Sequence, residues 1–162
     1  MHPHLVFTAG SSPSDLLIRA GTLSKASHVA IGLDDQLLHA YEPGVMFEPR
    51  SAWLDQHNKL VAEFAVLPDV DDGLTDTFSR IGERYDMFGT VHIALHRAFR
   101  FASPLLFPRR RARGAHTCAS LVMLLDPFGD RIPEWRGIDF SIAVPQDLLE
   151  ATNLGMSFER IR

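Results

Sequence analysis

The chain has 162 residues, with 46% hydrophobic and 22% charged side chains and a formal net charge of -4. That length suits a single domain, 1–162, with a core of its own, and the acidic balance argues against specific nucleic-acid binding by the domain as a whole. One cysteine excludes an internal disulfide, so the fold is not expected to rely on an oxidising compartment. Met1 to Thr8 has neither a basic start nor an apolar stretch long enough for a signal peptide. No apolar run approaches the roughly 20 residues of a membrane span. The expectation is a soluble, cytoplasmic chain.

In chain order, Leu5 to Thr8 reads as a short strand. Ser11-Ser12-Pro13-Ser14-Asp15 then supplies capping residues and a proline for a helix start. Leu16, Leu17, Ile18 and Leu23 are expected to give that helix its apolar face, and Gly21 its end. His28 to Leu33 and Gln36 to Tyr41 are two short apolar runs joined by Asp34-Asp35, which predicts a hairpin. Gly44 turns the chain again, and Val45 to Phe47 is expected to pair with that hairpin. Leu60 to Leu67 is the strongest strand, ended by Pro68. The acidic run Asp69-Val70-Asp71-Asp72-Gly73 lacks the ligand pattern of a calcium loop and reads as a turn capping a helix from Leu74 to Arg84. Tyr85 to Gly89 leads into a second helical stretch, Val91 to Phe101. A proline-broken, arginine-rich segment follows, Ser103 to Gly114. Thr117 to Leu125 reads as a helix beginning at the cysteine, Val144 to Leu149 starts a late helix, and Met156 to Ile161 alternates like a closing strand. The fold class is α+β, an antiparallel sheet packed against helices.

Three residues point to chemistry. Cys118 stands at a predicted helix N-terminus, where the helix dipole favours a thiolate. His28 opens a strand, and a rigidly aimed imidazole can take the thiol proton. His39 lies eleven residues on, where an antiparallel hairpin brings it beside His28 on one face; a third group of this kind orients the imidazole. The backbone N–H of Cys118, free at a helix start, is a candidate oxyanion donor. Two other readings stand beside this one. Cys118, His28 and His39 are also chemically suited to zinc, and a cysteine in Cys-Ala-Ser-Leu-Val is often only a small buried hydrophobe, which would make the chain a non-catalytic binding or structural module.

Ser27-His28-Val29-Ala30-Ile31-Gly32, Leu38-His39-Ala40 and Thr117-Cys118-Ala119-Ser120-Leu121-Val122, in that order, resemble the circularly permuted branch of the NlpC-type papain-fold superfamily, the YiiX/YaeF-like group. In that branch the histidine strand precedes the cysteine helix. Tyr85-Asp86-Met87-Phe88-Gly89 resembles a tyrosine-containing stretch that shapes the oxyanion side, and Pro145-Gln146-Asp147-Leu148 a late Pro-x-Asp-Leu turn. The likeness runs from about Ser11 to Leu149. Ala119-Ser120 departs from the usual Ser-Glu, Ala30 from the usual glycine, and His39 from a frequent glutamate, for which Glu42 is the alternative. The resemblance implies a permuted papain-like fold and a cysteine-dependent hydrolase or acyltransferase without a cofactor. Cys118 would be the nucleophile, His28 the base and His39 its orienter, with Tyr85 and Thr117 on the substrate or oxyanion side. The implied substrates are peptides of peptidoglycan, isopeptides or lipid acyl groups.

Several further features stand outside that constellation. From Arg97 to Arg113 there are six arginines and no acid; Arg109, Arg110 and Arg111 are either an anionic-surface contact or a solvated loop. His92 and His96 have the i, i+4 spacing of zinc ligands but lack the glutamate of the His-Glu-x-x-His motif, and read as helix-surface or core-edge residues. Trp53 and Trp135 read as packing residues or pocket walls.

Overall fold

The computed structural model describes residues 2–55, 58–98, 114–139 and 142–162, without the side chains of His96 and Ala98. Arg109, Arg110 and Arg111, and most of the arginine-rich stretch with them, lie outside the described residues. The strands are β1 (His4–Ala9), β2 (His28–Leu33), β3 (Gln36–Tyr41), β4 (Gly44–Pro49), β5 (Lys59–Val66), β6 (Arg84–Tyr85), β7 (Ala115–His116) and β8 (Phe158–Arg160). They form one sheet in the order β7-β6-β4-β3-β2-β1-β5-β8. Every pairing is antiparallel except that between β6 and β7. The described helices are α1 (Pro13–Thr22), α2 (Arg50–Asp55), α3 (Asp71–Ser79), α4 (Met87–Ala98), α5 (Cys118–Val122) and α6 (Pro145–Leu154). The mixed α+β class expected from the sequence is therefore present. None of these helices is long and apolar enough to cross a membrane.

The sheet separates two apolar layers. Leu5, Phe7, Val29, Ile31, Leu33, Leu38 and Ala40 turn to one face and form the main core with Cys118, Leu121, Val122 and Leu148. The intervening Val6, Ala30 and Leu37 turn to the other, where Trp53 of α2 covers them. This is the period of two that strand geometry imposes. It also explains why β2 is an unbroken apolar run after His28, since all six of its residues are buried and neither face meets water.

Five local expectations change. Leu16, Leu17 and Leu23 are exposed, and Ile18 is the apolar residue of α1 that is buried. Gly21 lies within α1 instead of ending it, because the backbone of α4 at Ala94 passes against it and a side chain there would collide. The helix predicted to reach Arg84 stops at Ser79, and Arg84 and Tyr85 become β6, held by the Val45 N–H to Glu83 carbonyl bond at 2.8 Å. α2 is an additional helix, laid down directly after β4. The acidic run does not cap a helix starting at Leu74: Asp71, Asp72 and Gly73 are the first turn of α3, whose N-cap Val70 has no side-chain bond, while the Asp71 N–H donates to Asp69 Oδ1 at 3.0 Å.

Candidate functional site

The β2–β3 hairpin sets the position of both histidines. Ile31 pairs with Leu38 and Gly32 with Leu37. Continued to the strand ends, that register puts Tyr41 opposite His28 and His39 diagonal to it on the same face. The two imidazoles meet, His28 Nε2 to His39 Nδ1, at 2.9 Å. Both are shut off from solvent, at 2% and 0% exposure. Trp53 packs on both rings, with centroids 4.8 Å from His28 and 4.6 Å from His39. Its indole N–H donates to Thr8 Oγ1 at 3.2 Å, which fixes the ring. Tyr41 completes the aromatic box, 5.7 Å from His28. Trp53 is thus a wall of the histidine pair, whereas Trp135 is a core residue beside Phe158.

Cys118 is the first residue of α5. Thr117 is its N-cap: the Thr117 hydroxyl accepts from the Ser120 N–H at 3.2 Å, and the Ser120 hydroxyl accepts from the Thr117 N–H at 3.0 Å. This reciprocal capping box gives the departure Ser120 a local role, since the serine does what a glutamate at that position does elsewhere. It also commits the Thr117 hydroxyl to the helix start. α5 packs on the main-core face, the opposite side of the sheet from the Trp53 box. The backbone N–H groups of Val29, Ala119 and Cys118 itself face the sulfur. Sulfur and imidazole therefore meet the His28–Val29 backbone from opposite faces of the sheet, Cys118 at the Val29 N–H and His28 against His39 and Trp53, and no hydrogen bond joins Cys118 to His28.

The electrostatics are those of a buried, neutral pair. Burial pushes the Cys118 thiol up to about 11, and the three N–H groups only partly oppose this. Burial first, and His39 second, hold His28 well below its ordinary 6.5. Burial holds His39 at about 4. Tyr85 is raised by burial and then by its neighbour Cys118, and its hydroxyl pairs with that of Thr90 at 3.0 Å.

Two adjacent clefts open here. Cys118 and Thr117 line one, with Ile18, Ile93, Ala143 and Val144 among its walls. His28 lines the other, with Asp15, Tyr41, Glu42 and Tyr85. Ile18 and Ser27 belong to both. Of the predicted site residues, then, His28 and His39 are directly bonded, Tyr85 stands beside Cys118, and Thr117 caps the cysteine helix. Glu42 lies at the His28 cleft, not behind the ring.

The zinc reading does not survive the geometry. Among the described residues no three His, Cys, Asp or Glu side chains are grouped to hold a metal ion. One nitrogen of each imidazole is taken by the bond between the two rings. His92 lies on α4, and the side chain of His96 is outside the described set.

One acidic group was missed. Glu48 Oε1 stands 2.9 Å from His39 Nε2, at ion-pair distance. Strand alternation offered a signal for it, because Glu48 follows Met46, the residue opposite His39, by two positions. No protein-family model matches the chain, and no curated protein matches it.

Proposed function

We propose that the chain is a cysteine-dependent hydrolase or acyltransferase of the permuted papain-like type, cleaving an amide through a Cys118 thioester. The observation that carries this reading is the buried 2.9 Å bond between His28 Nε2 and His39 Nδ1, set beside a sulfur held at the Val29 N–H. Because Nε2 of His28 is engaged, Nδ1 is the nitrogen left for proton transfer.

In this mechanism Cys118 and His28 first come within reach of one another around the end of β2; the Cys118 S–H bond then breaks as the proton passes to His28 Nδ1, and the sulfur attacks the substrate carbonyl. Negative charge gathers on the carbonyl oxygen, for which the N–H groups around Cys118 and the Tyr85 hydroxyl are the candidate donors. His28 returns its proton to the leaving amine, a thioester remains, and His28 then activates water to release the acid. The apolar walls of the Cys118 cleft favour an apolar acyl group on that side. Peptidoglycan peptides, isopeptides and lipid acyl groups remain the substrate classes to test, and Arg109, Arg110 and Arg111 the segment to test for anionic-surface contact.

A thiol raised to about 11 also suits the second reading, a binding or structural module in which Cys118 only packs. Alkylation separates the two. Iodoacetamide at pH 7.5, followed by mass spectrometry, is expected to modify Cys118 in the wild type, and His28→Ala is expected to slow that modification. Equal rates in the two proteins would reject the cysteine–histidine pair.

A further inference from the structure

We infer that Glu48 is a positioning residue of this site, acting on His28 through His39. The inference rests on the hydrolase reading above. It comes from a requirement of proton placement. For His28 to accept a proton at Nδ1, its own proton must sit on Nε2 and be donated to His39 Nδ1. His39 Nδ1 must then be the acceptor, so the proton of His39 is forced onto Nε2. That N–H is wholly buried and has no hydrogen-bond partner in alignment, a position that costs free energy. The carboxylate of Glu48 is the group placed to answer it, with Oε1 2.9 Å away though off the line of the N–H.

The placement follows from the β3–β4 register. His39 faces Met46 and Leu37 faces Glu48, so Glu48 is the diagonal same-face neighbour of His39, within reach of a long side chain. The nearby cation does not claim it, because both terminal nitrogens of Arg50 bond Glu63, at 2.5 and 2.8 Å. Glu48 is also less secluded than its partner, with 21% of its side chain exposed against 0% for His39. Burial raises the Glu48 carboxyl above its ordinary 4.5, and the exposed part of the side chain is what favours the charge that holds the neutral ring in one tautomer.

During the reaction no proton leaves His28 for His39. When the thiol proton moves to His28 Nδ1, the imidazolium strengthens its Nε2–H bond to His39, and the fixed negative charge of Glu48 offsets the new positive charge through the intervening ring. Glu48 thus favours the charged pair that burial otherwise disfavours.

The test uses the rate of Cys118 alkylation by iodoacetamide at pH 7.5 and the histidine tautomers read from long-range 15N–1H spectra. Glu48→Gln keeps the shape and removes the charge, and is expected to slow alkylation about tenfold, the effect of roughly one pH unit on the proton affinity of His28. Glu48→Leu removes the acceptor and is expected to take His39 out of the single Nε2–H tautomer, which a merely structural residue would not do. A wild-type alkylation rate in Glu48→Gln, or an unchanged His39 tautomer in Glu48→Leu, overturns the role of Glu48 even if His28→Ala is slow. If His28→Ala reacts as fast as the wild type, the hydrolase reading itself fails, and the two failures are thereby told apart.

Discussion

Trp53 is the residue whose removal tests the two-faced architecture most directly. It is 2% exposed, it walls both histidines at 4.8 and 4.6 Å, and it covers Val6, Ala30 and Leu37. Truncation to alanine opens a cavity of indole size that a sheet face cannot close by small shifts, and such losses cost about 3–5 kcal/mol. It also strands the hydroxyl of Thr8, which has 0% exposure and accepts the indole N–H. Trp53→Phe keeps most of the ring contact and loses that hydrogen bond, a penalty of about 1–3 kcal/mol. The expected order is therefore wild type, Trp53→Phe, Trp53→Ala. For a domain of this length the alanine variant should melt roughly 6–20 °C lower, at about 2–4 °C per kcal/mol. Urea unfolding followed by far-UV circular dichroism avoids the fluorescence change that the substitution itself causes. A Trp53→Ala cost below about 1 kcal/mol would refute the second core, and equal costs for the two variants would assign the whole effect to the hydrogen bond.

Two pH predictions follow from the buried ionisable groups. The fold holds His39 at about 4 and His28 well below 6.5, so the unfolded chain binds protons that the folded one excludes. Their contribution is complete above the unfolded pKa and is lost as pH falls from about 6.5 towards 4, with a slope of at most about 1.4 kcal/mol per pH unit for each ring; urea midpoints between pH 7.5 and 4.5 should fall accordingly, and less steeply in His39→Gln. Glu63 behaves with the carboxylate sign: its bond to Arg50 holds it below its ordinary 4.5, so that pair stabilises above the unfolded pKa and stops doing so as pH falls through the folded one. Arg50→Met leaves the buried Glu63 carboxylate with only His4 Nδ1 beside it, at 3.3 Å, and should cost about 3 kcal/mol at pH 7, the low end for breaking a buried pair; the deficit should shrink by pH 3.5, and one that grows on acidification would reverse the assignment.

The histidine pair was legible because the hairpin is tight. With two turn residues between β2 and β3, a separation of eleven residues leaves one register and one face for His28 and His39. The start of α5 was legible for a similar local reason, as Thr117 and Ser120 cap each other within one turn. What lay beyond local rules was set by packing. Leu16, Leu17 and Leu23 look like an apolar face, yet α1 meets its neighbour through Ile18 and the bare backbone at Gly21. Trp53 could be read as a packing residue, but no spacing rule says that a helix after β4 will fold back over β2 and β3. Glu48 needed the register of a second hairpin, in which Tyr41 faces Gly44, before its alternation could be tied to His39.

The division of the site into two clefts bears on what a substrate must look like under the hydrolase reading. Amide cleavage needs the acyl carbon at Cys118 and the departing nitrogen within reach of His28, because the same imidazole that takes the thiol proton must return it to the amine. The walls divide along that line. Ile18, Ile93, Ala143 and Val144 stand on the cysteine side, whereas Asp15, Glu42, Tyr41 and Tyr85 stand on the histidine side. An apolar acyl group and a polar, basic leaving amine match that division, and a substrate with the polarity reversed would place a desolvated charge against aliphatic carbon. Ile18 and Ser27 line both clefts. Filling the two clefts also excludes water from around a thiol and an imidazole that are neutral at rest. Charges formed there attract each other more strongly than in water, and since each is costly alone in a buried setting, the thiolate and imidazolium are best formed together with substrate in place.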